Sequence, residues 1–419
     1  MSSDAKQHIT SPRPAPIPLP VHRPAPLSLP TEYHRLRTEQ PVARLAFPDG
    51  PPGWLVTRYD DVRACLADPR LSSKNPHRYA HLRSGLATPT RADPSRSAEL
   101  LTSDPPEHTR FRSLVVRQFT TRRMKQLTPR IQAIVDDHLD ALASAPRPAD
   151  LIQTVALPVP SLVISELLGV PFADRDFYYR LTRQLLSLSR TREQLRDDKA
   201  EMKVYLLSLV KARREEPADD VLGGLVQAQA NGTPITDDEI ATLGQLLLIA
   251  GHETTANAIG LAVLLLLQPP RLWDKLVQRP DLIDGYIEET LRYATVLQFG
   301  LLRVAREPLA IGGQAIEAGE RVVLHVPSAN RDAALFTNPD QLDPQRPNAD
   351  RHLSFGHGPH HCLGEQLARI ELRTVLTTLL RRFPDLRLAA ASEEIRHHHD
   401  RLVHGVTELP VDFGEVPCH

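Results

Sequence analysis

The sequence predicts a mainly α protein with a small β portion, built as a single domain. The first observation is a mostly helical pattern from residue 106 to about 213, and the second is one long apolar helix over residues 236–268. The third is a set of short strand-like runs at 299–304, 309–311 and 321–326, which glycines separate. Helices and strands mix along the chain without an internal repeat, so one domain is favoured over several.

A proline-rich strap is predicted before that domain, over residues 1–30. Prolines dominate residues 12–30, and this composition favours an extended, polyproline-like segment. The domain itself is expected to cover residues 31–419. The first elements predicted within it are a strand at 54–58 and a helix at 59–67.

A long loop and a helical region interrupted by prolines are predicted to follow. Residues 72–100 lack periodicity and are rich in Arg, Ser, Pro and Thr, so they are predicted to form a long loop, and long loops in compact domains are usually functional. In the helical region that follows, prolines are expected to break the helices. These prolines are Pro146, Pro158, Pro160 and Pro171.

The long helix over 236–268 has clear start and end signals. Thr236 and Glu239 form a capping box, and Pro269 and Pro270 follow the last apolar residue. The stretch is long enough to cross a bilayer, but it carries polar residues near its centre that lipid would make costly. They are His252, Glu253, Thr254, Thr255 and Asn257. We therefore predict a buried helix in a soluble protein, with further helices at 280–293 and 365–382.

Composition excludes several classes of protein. The 419 residues carry 50 basic and 51 acidic side chains, a balance that is not typical of nucleic-acid-binding proteins. Three cysteines, Cys65, Cys362 and Cys418, do not make a disulfide framework, which fits the reducing cytosol. The N-terminus is polar and then proline-rich, without the apolar segment of a signal peptide. We expect a cytoplasmic protein with no membrane and no nucleic-acid partner.

One cysteine has surroundings suited to holding an iron. The run Phe-Gly-His-Gly-Pro-His-His-Cys-Leu-Gly at 355–364 places Cys362 in a glycine-rich loop directly before a helix. Glycines allow the backbone to approach a flat ligand, and a helix N-terminus is expected to lower the pKa of the thiol. Two other interpretations remain open. Cys362 could be a small buried hydrophobe, or it could bind zinc with His357, His360 and His361, although no second ligand pair follows.

The middle of the long helix is a second candidate site, with the sequence Ala-Gly-His-Glu-Thr-Thr at 250–255. Gly251 costs about 1 kcal/mol against alanine in a helix interior. One explanation is that the helix opens at this glycine to admit dioxygen, with Thr254 and Glu253 relaying protons. The alternative is that Thr254 bonds back to the carbonyl of Ala250 while Glu253 pairs with a surface lysine.

Together these segments resemble the cytochromes P450, the haem-thiolate monooxygenases, and among them the soluble bacterial enzymes that tailor secondary metabolites. The residues that match the family's haem-binding loop are Phe355, Gly356, Gly358, His360, Cys362 and Gly364. The resemblance implies the cytochrome P450 fold, with the long helix passing over haem b and Cys362 as the axial iron ligand. It also implies that Ala250 and Gly251 lie against the cofactor, that Thr254 supplies the hydroxyl on the oxygen side and that Glu253 is the acid.

Two further residue sets follow from the resemblance. The pair Glu289 and Arg292 matches a buried Glu-x-x-Arg motif, and Arg346 in the run 343–347 is its expected third member. This set is assigned to folding and haem insertion. The haem propionates are expected to be held by four cationic or hydrogen-bonding side chains, which are His108, Arg112, Arg303 and His360.

The substrate pocket is the least defined part of the resemblance. Relatives often carry a proline shortly after the Glu-x-x-Arg helix, and here the run 295–300 has none. This segment faces the substrate in the family, so no substrate preference carries over. The pocket residues expected from it and from the long helix are Val296, Leu297, Gln298, Phe299, Leu246 and Leu247.

The implied reaction is hydroxylation or epoxidation of an unactivated carbon in a bulky, largely apolar natural product, such as a polyketide, macrolide or terpenoid. O2 is the co-substrate, and a ferredoxin with its reductase, on separate chains, supplies electrons to a monomeric enzyme. Docking charges are expected at Arg110, Arg117, Arg122 and Arg123. The alternatives are a peroxide-driven peroxygenase, which in this family lacks the acid–threonine pair, and a non-catalytic haem sensor or carrier, which does not need that pair.

Basic residues in two presumed lid segments raise a further hypothesis, that the substrate or its carrier bears an acidic group. The alternative interpretation is an ordinary solvated basic surface. The residues are Lys74, His77, Arg78, His81, Arg83, Arg91 and Arg96 in the first segment, and Arg180, Arg183, Arg190 and Arg192 in the second.

Overall fold

Thirteen α-helices and ten short strands are seen in a computed structural model of the protein, which describes residues 14–74, 81–82, 100–268 and 271–414. The helices are α1 (Glu32–Glu39), α2 (Tyr59–Ala67), α3 (Glu107–Val115), α4 (Thr121–Ser144), α5 (Pro158–Leu168), α6 (Arg175–Leu185), α7 (Arg192–Glu215), α8 (Val221–Ala230), α9 (Asp237–Leu267), α10 (Leu272–Gln278), α11 (Ile283–Tyr293), α12 (Val326–Ala329) and α13 (Glu365–Arg382). The predicted mainly α fold with a small β portion is confirmed.

The strands form two small sheets and a hairpin. They are β1 (Val42–Leu45), β2 (Gly53–Val56), β3 (Leu71–Ser72), β4 (Ala149–Asp150), β5 (Leu301–Ala305), β6 (Leu309–Ile311), β7 (Gln314–Ile316), β8 (Arg321–Leu324), β9 (Arg387–Leu388) and β10 (Pro410–Asp412). The larger sheet has the order β1-β2-β8-β5-β3 and the smaller one β4-β10-β9. Strand β8 pairs parallel to β2 and antiparallel to β5, which fixes Arg303 of β5 opposite Val322.

Helix α9 is the centre of the molecule. It begins as predicted, because Thr236 Oγ1 accepts a hydrogen bond from the Glu239 amide (3.2 Å) and Glu239 Oε2 accepts one from the Thr236 amide (2.9 Å). It packs against α5, α7, α8, α10, α11 and α13. By length and composition it could cross a membrane, but 72% of its most apolar 18-residue window is buried within the protein. It is therefore the core helix that the sequence predicts.

The prolines act differently from expectation around α5. Pro146 and Pro171 lie between helices, but Pro158 is the first residue of α5 and Pro160 lies in its first turn. Amides at these positions have no intrahelical partner, so proline costs little there. The preceding break is a π-helical turn over Ile152–Ala156. Pro269, Pro270 and most of the loop at 72–100 lie outside the described residues.

The described part of the proline-rich segment runs along the larger sheet. Ile17 donates its amide to the Arg44 carbonyl (2.9 Å), and its carbonyl accepts from the Ala46 amide (2.8 Å). Tyr33 Oη donates to the carbonyl of Pro20 at 3.1 Å. Residues 14–30 thus contain no helix and pair with β1 at Ile17, while residues 1–13 fall outside the described chain.

Candidate active site

The cysteine loop is shaped by glycines in the left-handed region. Gly356 has φ of 74° and Gly358 of 72°, where a side chain is strained. A Cβ on Gly358 would also lie 2.8 Å from Ala67 Cα, because the loop packs on the end of α2. The Cys362 amide then donates to the Phe355 carbonyl at 2.8 Å, which closes the loop just before α13.

The pKa of the Cys362 thiol is shifted in the opposite direction to the one that the sequence predicts. The residue keeps accessible surface, yet burial among protein atoms raises the pKa of its thiol. A hydrogen bond from Gly364 and the charges of Arg112 and Arg369 lower this pKa, but less than burial raises it. The helix N-terminus therefore does not give a low thiol pKa by itself. Metal coordination deprotonates a thiol outright, so a thiolate here would follow from ligation.

The zinc interpretation is not supported. Within residues 14–74, 81–82, 100–268 and 271–414, no cluster of three or more His, Cys, Asp or Glu side chains could hold a metal ion. His361 instead lies 3.7 Å from Glu365, through Nε2 and Oε2.

Cationic and imidazole side chains gather where the resemblance places the haem propionates. The rings of His108 and His360 lie 4.2 Å apart between centroids. His108 is 2% exposed, and its buried Nε2 has no hydrogen-bond partner among the described residues. Arg303 is buried and Arg112 is half-buried, with Arg112 Nη2 donating to the His361 carbonyl at 2.8 Å.

Burial and positive charge hold both of these histidines neutral. Burial, followed by the charges of Arg303 and His108, lowers the pKa of His360 to about 3. Burial and then the charge of Arg112 lower the pKa of His108. A desolvated cluster of donors with an unpartnered nitrogen suits anionic oxygens, so these residues fit the carboxylates of a haem.

One side of α9 retains accessible surface in the middle of an otherwise buried helix. Leu246, Ala250 and Thr254, spaced by four residues, keep such surface and therefore share one face. Thr254 Oγ1 donates to the Ala250 carbonyl at 2.7 Å, as the alternative interpretation expected. Leu247 is only 7% exposed and belongs to the hydrophobic core, so its side chain offers little surface to a substrate.

Gly251 has a packing function. Helix α9 runs unbroken through it, so the expected opening is not seen. A Cβ at this position would lie 2.6 Å from Ile164 Cγ1 of α5. The glycine therefore allows α5 and α9 to approach each other closely.

Glu253 is buried with incomplete compensation of its charge. It is 2% exposed, and its Oε1 has no hydrogen-bond partner among the described residues. Its Oε2 lies 3.5 Å from Arg401 Nη1. The expected alternative of a surface lysine partner is wrong, because the partner is a largely buried arginine near the C-terminus.

The Glu-x-x-Arg residues and Arg346 meet in a buried cluster. Arg292 donates to both carboxylate oxygens of Glu289, at 2.7 and 2.8 Å, and Arg346 Nε lies 3.0 Å from both. The Asp343 amide adds a further bond to Glu289 at 2.9 Å. Glu289 and Arg292 have no exposed surface.

The segment at 295–300 is held by other loops. Gln298, 8% exposed, donates from Nε2 to the Arg401 carbonyl at 2.9 Å. His81 Nε2 lies 3.0 Å from the Phe299 carbonyl. Val296, Leu297 and Phe299 remain partly exposed, which leaves them available to a ligand, whereas Gln298 is occupied in fixing the segment.

Many of the highlighted basic residues already have acidic partners. Arg110 pairs with Glu239 and Arg123 with Asp219, whereas Arg117 and Arg122 are exposed. In the second basic segment Arg180 pairs with Glu201 and Arg190 with Asp198, which weakens the hypothesis of an acidic substrate. His77, Arg78, Arg83, Arg91 and Arg96 lie outside the described residues.

Sequence reasoning missed three connecting residues. Asn330 donates to Thr295 and Ser354 at 2.8 Å each and so joins the end of α11 to the cysteine loop. Arg369 lies over the ring of Phe355, 4.6 Å from its centroid, and its i, i+4 spacing from Glu365 was a usable signal. Asn330 and Arg401 lack any such local pattern.

Comparison with known proteins gives one consistent result. The family model for cytochrome P450 matches residues 53–394. Cytochrome P450-SU2 of Streptomyces griseolus is 44% identical over 377 residues, which is 90% of this chain and 91% of the relative. The 20-oxo-5-O-mycaminosyltylactone 23-monooxygenase of Streptomyces fradiae is 40% identical over 94% of this chain and 91% of its own length. The crystal structure of CYP105P1 in complex with filipin I superposes with a TM-score of 0.89 at 40% identity, covering 96% of this chain and 100% of the other.

Proposed function

Because this chain belongs to the cytochrome P450 family of haem-dependent monooxygenases, we propose that it hydroxylates or epoxidises an unactivated carbon of a bulky, largely apolar natural product. A polyketide or macrolide is the favoured substrate class and a terpenoid the second. The macrolide-type name of one relative and the filipin bound to one neighbour support this choice. The mainly apolar accessible face of α9 supports it as well.

The observation that carries the proposal is the pair at 253–254. Glu253 is a buried carboxylate with one oxygen that no described residue contacts by a hydrogen bond, and Thr254 beside it keeps accessible surface. An incompletely compensated buried charge costs stability, so it is expected where chemistry uses it. A peroxygenase or a haem sensor does not need a proton path, and the pair therefore favours a monooxygenase.

We assign the cofactor site to five side chains. Cys362 would hold the iron of haem b, while His108, Arg112, Arg303 and His360 would hold its propionates. The Nε2 of His108, which has no hydrogen-bond partner in the described ranges, supports this assignment. When bound, the haem supplies O2 activation and oxygen transfer, which a thiolate ligand favours by donating electron density.

The protein's own share of the reaction is proton delivery. The Thr254 hydroxyl bonds to the Ala250 carbonyl and can rotate on χ1 to donate toward the accessible face of α9. Glu253 can take a proton at the bare Oε1 and resupply that hydroxyl, since general acids act through hydrogen-bonded neighbours. Phe355, Gly356 and Ala250 are assigned to contact with the cofactor, whereas Gly251, which the resemblance also placed there, packs against Ile164 of α5.

Electrons are proposed to come from a ferredoxin and its reductase. The exposed Arg117 and Arg122 are the docking charges of choice, because Arg110 and Arg123 already pair with carboxylates. We further propose that the enzyme is a monomer in the cytoplasm; the burial of helix α9, the long apolar helix found among the described residues, is consistent with that location.

A spectral titration of the purified ferric protein tests this function. Macrolides, free polyketide acids, terpenoids and steroids are added in turn, and a low-to-high-spin shift is expected with macrolides. The shifting compound is then incubated with O2, NADPH, ferredoxin and reductase, and a product one oxygen heavier is expected by mass spectrometry. Turnover with peroxide that equals the ferredoxin-driven rate would favour the peroxygenase instead.

A further inference from the structure

The cation that pairs with Glu253 comes from a distant part of the chain. Arg401 lies 148 positions after Glu253, and its side chain is 14% exposed against 3% for the glutamate. The contact from Nη1 to Oε2 is 3.5 Å, and Oε1 remains without a partner among the described residues. Arg401 is therefore close enough to compensate the charge of Glu253, but the two side chains do not form a short bidentate salt bridge.

The backbone around Arg401 is hydrogen-bonded to residues 186–188, which directly follow α6. Ser187 and Arg401 form an antiparallel bridge. The Leu188 amide donates to the Asp400 carbonyl at 2.7 Å, and the Leu402 amide donates to the Leu186 carbonyl at 3.0 Å. The position of Arg401 thus depends on the position of residues 186–188.

The other side of the same backbone is fixed to the expected substrate segment. Gln298 Nε2 donates to the Arg401 carbonyl at 2.9 Å. Val403 forms a bridge with Leu297, and the His404 amide donates to the Val296 carbonyl at 2.7 Å. Residues 296–298 therefore contact the backbone of Arg401 directly at one point and the neighbouring positions 403 and 404 at two more.

Arg401 is the charged group that contacts Glu253, because the nearby imidazoles are neutral. Burial lowers the pKa of Arg401, the Glu253 charge raises it, and Arg183 lowers it while Asp400 raises it. Burial and then the Arg401 charge lower the pKa of His398 to about 4, so this ring is neutral near neutral pH. His252, beside Glu253, also has a pKa lowered by burial. Arg401 therefore carries the compensating charge.

We propose that Arg401 is a positioning residue for proton delivery, which holds the Glu253 carboxylate charged and links it to the segments at 186–188 and 296–298. Displacement of Arg401 leaves a buried carboxylate without its cation, which favours the neutral acid. An O–H bond then forms at a Glu253 oxygen as one breaks in a hydronium ion from solvent, which leaves a water molecule, and the proton is ready for Thr254. This inference rests on the proposed function.

Infrared difference spectroscopy of the haem-loaded protein at neutral pH tests the charge on Glu253 without turnover. Arg401→Gln is expected to show a protonated carboxyl band that the wild type lacks. The band should be absent from the Arg401→Gln, Glu253→Gln double variant and from Arg401→Lys. Arg396→Gln is the matched control, because Arg396 lies in the same stretch and pairs with Glu408 at the surface. A folded Arg401→Gln variant without the band would overturn the inference.

Coupling measurements test the link to catalysis. Arg401→Gln is expected to lower product formation about tenfold and to raise peroxide release, because a misplaced general acid loses part of its contribution. The same substitution in a Glu253→Gln background should add nothing, and an equal further loss there would show a merely structural role.

Gln298→Ala removes the hydrogen bond from Gln298 to the Arg401 carbonyl. It tests the inference even if the Arg401→Gln variant does not fold. It should give a weaker carboxyl band in the same spectral position, and an unchanged spectrum would refute the link to residues 296–298. A carboxyl band in Arg401→Gln together with no oxygenation of any compound by the wild type would refute the proposed function while leaving the charge compensation in place.

Discussion

Two buried glutamates on neighbouring helices, Glu289 of α11 and Glu253 of α9, have contrasting surroundings. Glu289 accepts bonds from both Arg292 and Arg346 and from a backbone amide, so both of its oxygens have partners. Glu253 has one cation at 3.5 Å, and its other oxygen has no partner within the described part of the chain. Both residues are almost completely inaccessible, at 0% and 2% exposure. Burial therefore does not distinguish them, and the completeness of compensation does.

The contrast separates a structural charge from a chemical one. A fully bonded carboxylate holds its loops in place and has no free lone pair with which to exchange a proton. A carboxylate with a bare oxygen costs more to keep, but it can accept and donate a proton. We therefore assign the Glu289 cluster to folding and the Glu253 site to catalysis.

The largest effect is expected at the structural cluster. Glu289→Gln keeps the shape of the side chain but leaves two buried guanidinium groups without a charge partner, so the free energy of unfolding should fall by about 3–5 kcal/mol. Urea denaturation measures this loss. Asp281→Asn is the control, because its pair with Arg279 is more than half exposed and should be worth about 0–1 kcal/mol. Equal effects in the two variants would contradict the structural assignment.

The opposite pattern is expected at Thr254, where function should change and stability should not. Thr254→Ala removes the hydroxyl but replaces threonine with a better helix former, so unfolding should change by less than about 1 kcal/mol. Product formed per O2 consumed should fall about tenfold or more, with peroxide released instead. Thr242→Ala is a matched control on the same helix, since Thr242 Oγ1 makes the same bond to the Asp238 carbonyl at 2.7 Å. Its coupling should equal that of the wild type.

Glu371 of α13 is a third buried carboxyl group, and it has no cationic partner among the residues that the structure describes. It is 1% exposed, its Oε2 has no partner among the described residues, and burial raises its pKa well above the ordinary value of 4.5. The folded state therefore keeps a proton that the unfolded state releases, so stability falls as pH rises above 4.5.

The variant Glu371→Gln has a side chain that does not titrate, so it lacks this contribution to the pH dependence of stability. Its unfolding free energy should match the wild type most closely at acidic pH and exceed it increasingly as pH rises, by at most about 1.4 kcal/mol per pH unit. Thermal or urea unfolding over a pH series measures the difference. The exposed Glu393→Gln serves as control, and a stability gap that does not change with pH would show that Glu371 is ionised in the fold.

Local patterns were sufficient for most elements of the fold. The capping box placed the start of α9 at Asp237, and the apolar periodicity gave α13 its observed bounds of Glu365–Arg382. Strand β7 was missed although Gly312 and Gly313, at φ of 51° and 81°, are a recognisable two-residue hairpin turn. The order of the larger sheet could not be predicted, because β2 and β8 are far apart in sequence.

In the site, too, local sequence predicts some features, and contacts between distant residues decide the others. Motif spacing singled out Glu253, Thr254 and Cys362 as candidate site residues without revealing what surrounds them. The partner of Glu253 lies 148 residues away, and the contact that explains Gly251 is with Ile164 of another helix. The raised pKa of Cys362 is likewise a consequence of burial, which depends on the packing of the whole domain.

The carbon monoxide difference spectrum of the reduced protein tests the central assignment most directly. The wild type and Cys65→Ser should both give the absorption band of a haem with a thiolate ligand, because Cys65 is a core residue whose pKa burial raises to about 12. Cys362→Ser should lose that band. A wild-type protein without the thiolate band, or a Cys362→Ser variant that keeps it, would contradict Cys362 as the iron ligand and with it the assigned active site.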